Sequence, residues 1–152
     1  MLSYESASKV SASAVVAIFK EIEILDRVWW RGVLGFDASD ESRPALLFGR
    51  TSLFHTQGIP DEDDLFMAFA DAVFILDQLS RWARKYRIKW RVRMHDEDWG
   101  AVDPGGLTKP LFGHMDKWAR RVQVFSSGRD AWFVPEDRRA ALLARHAGRK
   151  EV

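Results

Sequence analysis

Between Asp61 and Lys85 the apolar residues recur in steps of four and three: Leu65, Phe69, Ala72, Leu76, Leu79 and Ala83, widened by Phe66, Val73 and Phe74. That period puts them on one stripe of an α-helix. Asp61, Glu62, Asp63 and Asp64 crowd the start, and Arg81, Arg84 and Lys85 crowd the finish. This is the polarity that the helix dipole favours. The spacing predicts a long helix over 61–85, packed across a sheet. The period then changes. Arg87, Lys89, Arg91 and Arg93 alternate strictly with Ile88, Trp90, Val92 and Met94. A period of two is that of a half-buried strand, with one apolar face and one face carrying a ladder of cations.

Elsewhere the pattern is shorter-ranged. Val15, Ile18, Ile22, Leu25 and Trp29 follow helical steps, so a helix is expected over 15–31, ending near Gly32 or Gly35. The competing reading is a strand, because the segment is rich in branched residues. Residues 1–12 are polar and are expected to be loosely ordered. Residues 37–44 form an acidic connection, with short strands at Ala45–Phe48 and Ser52–Thr56 around Gly49 and a turn at Gln57–Pro60. His95–Gly100 reads as a turn, and a strand returns through Trp99 to Val102. Asp103-Pro104-Gly105-Gly106 is a second turn. Thr108 suits an N-cap with Pro110 in the first turn of a helix reaching about Arg120. Val122–Phe125 and Ala131–Val134 read as a hairpin. A last helix is expected over 136–147, with Gly148 just past its end. Together these elements predict an α+β fold: a small, mostly antiparallel sheet packed by the long 61–85 helix and two or three shorter ones.

A chain of 152 residues fits one domain with a core of its own. No apolar run reaches the length of a membrane span, and Lys20, Glu21 and Glu23 interrupt the first apolar stretch, so neither a membrane helix nor a signal peptide is expected. The chain has no cysteine, which excludes disulfides, thiolate metal sites and cysteine nucleophiles. A cytoplasmic setting is the default. The net charge of +1 hides an asymmetry. Residues 1–77 hold 6 basic and 13 acidic side chains (−7), and residues 78–152 hold 17 and 9 (+8). Acidic and basic elements packed side by side would neutralise one another. Seven tryptophans are many for this length, and tryptophan serves both cores and interface anchors.

The candidate binding residues are cations: Lys85, Arg87, Lys89, Arg91 and Arg93 along the basic run, and Lys109 at the start of the predicted helix after Gly105-Gly106. Cations about 7 Å apart along a strand match phosphates in spacing. RNA-binding sheets also stack aromatics on the face of their cations, and here Trp90 and Tyr86 have the opposite parity, which weakens that version. A solvated face, or pairing with carboxylates on neighbouring strands, explains the same ladder without a ligand. His95, Asp96, Glu97 and Asp98 are potential metal ligands, yet the calcium-loop pattern is absent and an acidic hairpin turn accounts for them. His55, His114 and His146 form no zinc spacing. The Walker pattern and the GxSxG elbow are also absent, and Ser52 and His55 fall on opposite strand faces. No motif calls for a cofactor or metal.

In size and single-domain build, the chain is like small bacterial immunity or antitoxin-type proteins, a likeness of class that rests on no motif. The expected function is a non-catalytic protein-binding module, immunity- or antitoxin-like or an adaptor, whose partner is another protein, self or hetero. A nucleic-acid or polyanion binder using the 85–93 run is the alternative. An enzyme whose site is assembled from scattered residues is a third.

Overall fold

The computed structural model describes residues 1–28, 36–39, 44–53, 59, 61–128 and 131–133. They form an α+β fold. Its elements run β1 (Leu2–Ser6), α1 (Ala12–Val28), β2 (Asp37–Ala38), β3 (Leu47–Thr51), α2 (Glu62–Tyr86), β4 (Trp90–Met94), β5 (Glu97–Asp103), β6 (Gly106–Leu107), α3 (Lys109–Arg121), β7 (Phe125–Gly128) and β8 (Ala131–Phe133). The first six strands make one antiparallel sheet in the order β2-β3-β1-β4-β5-β6, and β7 and β8 pair separately. β3 and β4 both run antiparallel to β1, so they are parallel to each other and α2 is the crossover between them.

β1 corrects the expectation that residues 1–12 are loosely ordered. It lies inside the sheet, paired from Leu2 to Glu5 with β3 and from Leu2 to Ser6 with β4. Leu2 and Tyr4 are buried. Ser6 is buried as well, and its hydroxyl accepts a hydrogen bond from the Leu47 amide at 3.0 Å. Tyr4 sits opposite Gly49 in register, and its hydroxyl lies 3.3 Å from Thr51 Oγ1. The ring therefore crosses the strand where no side chain blocks it. β3 runs unbroken through Gly49 to Thr51; of the second predicted strand, Ser52 and Leu53 are not in a strand and residues 54–56 lie outside the described residues.

The long helix forms as its charges predict, with an added device. Asp61 Oδ1 accepts from the Asp64 amide at 2.8 Å, and Asp64 Oδ2 accepts from the Asp61 amide at 3.2 Å, a reciprocal capping box. Residues 12–28 are helical, and the Ser11 hydroxyl accepts from the Ala14 amide at its start. The predicted end near Gly32 or Gly35 lies outside the described residues. Val15, Ile18 and Ile22 of α1, Phe69, Leu76, Leu79 and Trp82 of α2, and Leu111 and Met115 of α3 meet Leu2, Tyr4, Trp90, Val92 and Val102 of the sheet in one core. Phe36 lies 4.9 Å from Tyr4, 5.4 Å from Trp82 and 5.6 Å from Trp90 between ring centroids. α1, α2 and α3 thus pack on one face of the sheet, and no other helix among the described residues covers the opposite face, termed the open face.

Two further boundaries move. The β4–β5 connection is a two-residue turn at His95 and Asp96, both at positive φ, the pairing that lets antiparallel strands keep their twist; Glu97 and Asp98 already belong to β5. The hairpin begins at Phe125, whereas Val122 caps α3 and is buried with Val124. Residues 136–147, read as a last helix, lie outside the described residues. No helix among the described residues is long and apolar enough to cross a membrane.

Candidate functional site: the open face of the sheet

Strand parity decides what the open face carries. On β4, Trp90, Val92 and Met94 point into the core, while Arg91 and Arg93 are exposed on the other side. Lys89, just before the strand, keeps the same parity, is exposed, and its carbonyl accepts a backbone hydrogen bond from Ala7. On β3 and the residue before it the same parity selects Leu46, Phe48 and Arg50, and on β1 it selects Ser3 and Glu5. The register sets these in rows. Arg50, Ser3, Arg93 and Asp98 lie across β3, β1, β4 and β5; Asp37, Phe48, Glu5, Arg91 and Ala101 lie across β2 to β5.

Two shallow cavities flank the arginines. One, of about 560 Å³, is lined by Ser3, Glu5, Asp37, Phe48 and Arg50 together with Arg91 and Arg93. The other, of about 360 Å³, shares Arg91 and Arg93 and adds Lys89, Asp98 and Thr108. The two guanidinium side chains form the ridge between them. Glu5 and Asp98 are the cross-strand neighbours of Arg91 and Arg93, yet none of these groups closes to ion-pair distance within the described residues. Phe48 and Leu46 are 43% and 41% exposed, which sets an apolar strip beside the cations.

The basic run read as a single ladder is divided by the fold. Lys85 lies on α2 and points to α1, where its Nζ is 3.1 Å from Glu21 Oε1. Arg87 is the left-handed C-cap of α2 (φ 57, ψ 46), and its amide donates to the Ala83 carbonyl. Lys89, Arg91 and Arg93 remain together. Lys109 is exposed at the first residue of α3. Thr108 does take the N-cap position there, but its hydroxyl accepts from the Ala101 amide of β5 at 3.0 Å and makes no cap bond. It ties the start of α3 to the sheet.

The α1–α2 contact is electrostatic as well as apolar. Glu21 accepts from Trp82 Nε1, from Lys85 and, at 3.5 Å, from the Tyr86 hydroxyl. Partial burial pushes the Glu21 carboxyl up, but the bonds from Trp82, Lys85 and Tyr86 and the Lys85 charge together hold it below the usual range. The hydrogen bond to Glu21, then that to Tyr86, pushes the Lys85 ammonium up.

Sequence reasoning missed the apolar half of the face. Leu46 and Phe48 fall in a short predicted strand to which the sequence assigns no buried side, and only the pairing with β1 shows which side they take. Trp82 and Trp90 are fully buried, and Trp99 and Trp118 are half-buried against the core. Trp99 stacks on His114 at 4.6 Å and 6°. None of these four tryptophans is an exposed anchor. Among the described residues no three His, Asp or Glu side chains gather as a metal site. No protein-family model, curated protein or solved structure matches the chain.

Proposed function

We propose that this protein is a non-catalytic protein-binding module of the cytoplasm, which docks its partner on the open face of the sheet. The observation that supports this reading is the coexistence on that face of exposed apolar Phe48 and Leu46 with arginines that no carboxylate of the described residues holds in an ion pair. A buried apolar centre with an arginine-rich surround is the composition of protein interfaces. Glu5, Asp37, Asp96 and Asp98 stand among Lys89, Arg50, Arg91 and Arg93, so the face is close to neutral. Such a surface gives specificity and orientation to a folded partner. In role it fits a partner-neutralising protein, of the immunity or antitoxin kind, or an adaptor.

The test is photo-crosslinking from a benzoyl-phenylalanine placed at Phe48, with the same group at Glu62 on α2 as the control. A discrete protein adduct specific to position 48 is expected. Adducts that do not distinguish the two positions would remove this reading. The second reading, a polyanion site, is favoured by the spacing of Lys89, Arg91 and Arg93 alone. It requires oligonucleotide binding that falls steeply with salt and disappears when Arg91 and Arg93 are replaced by Glu.

A further inference from the structure

We draw no further inference here: the strongest candidate, the shallow cavity of about 360 Å³ where Lys89, Arg91 and Arg93 meet the start of α3, belongs to the open face already described and rests on a helix N-terminus with no second observation that points to a ligand.

Discussion

Gly100 and Gly113 lie on adjoining elements and make opposite demands. Gly100 has φ 123, and a Cβ there would meet Thr108 Oγ1 at 2.8 Å and the Leu111 amide nitrogen at 2.9 Å. Both the backbone conformation and the space forbid a side chain. Gly100→Ala should therefore destabilise the protein by more than about 2 kcal/mol, read from urea denaturation. Gly113 is an exposed interior position of α3, and a methyl group added there would meet nothing within 4 Å. Gly113→Ala should stabilise by about 0.5–1 kcal/mol in the same assay, because only the entropy of the unfolded chain and helix propensity change. Beside Gly100, the register skips one residue: Val92 faces Gly100 and Arg93 faces Asp98, which leaves Trp99 as the extra residue of a bulge. The sequence shows a returning strand through Trp99, but alternation alone carries no sign of that step. It is the step that returns Asp98 to the row of Arg93 and sends Trp99 against His114.

At the scale of elements, the α1–α2 contact depends on one carboxylate. The folded chain holds Glu21 more acidic than the unfolded chain does. Its contribution to stability is accordingly complete above the usual glutamate range and is lost as pH falls through the lower, folded value. Glu21→Gln should flatten the acid limb of the stability–pH profile below about pH 5, leaving a smaller difference between neutral and acid urea midpoints than in the wild type. Lys85 moves the other way. Its ammonium is favoured by the fold, so its part persists through neutral pH and fades only as pH rises beyond the ordinary lysine range. Helices were the elements most readable in the sequence, because α2 carries both a long apolar stripe and acidic and basic ends. β1 was not readable: Leu2 and Tyr4 are its only two apolar residues, and the burial of Ser6 depends on a hydrogen bond to a strand forty-one residues away. The candidate face was half readable for the same reason. Arg91 and Arg93 announce their side by alternation, whereas Leu46, Phe48 and Arg50 take theirs from pairing with β1.

At the scale of the molecule, the acidic first half and the basic second half are threaded through one another. Glu21 reaches Lys85 between the helices, and Glu5 stands beside Arg91 within the sheet. The open face draws its apolar strip from the first half and most of its cations from the second. Neither half presents the whole surface, so any partner that reads it reads a completed sheet. That completion has an order in time. β1 joins β3 to β4, and Leu2 meets Met94 while Ser6 meets Trp90. Residues 2–6 have their second neighbour only after residues 90–94 have left the ribosome, and until then one edge of β1 lacks its partner strand. Such distant pairing is slow to close. The same five residues that give the sheet its centre thus mark the interval in which the growing chain is most open to aggregation or to a chaperone.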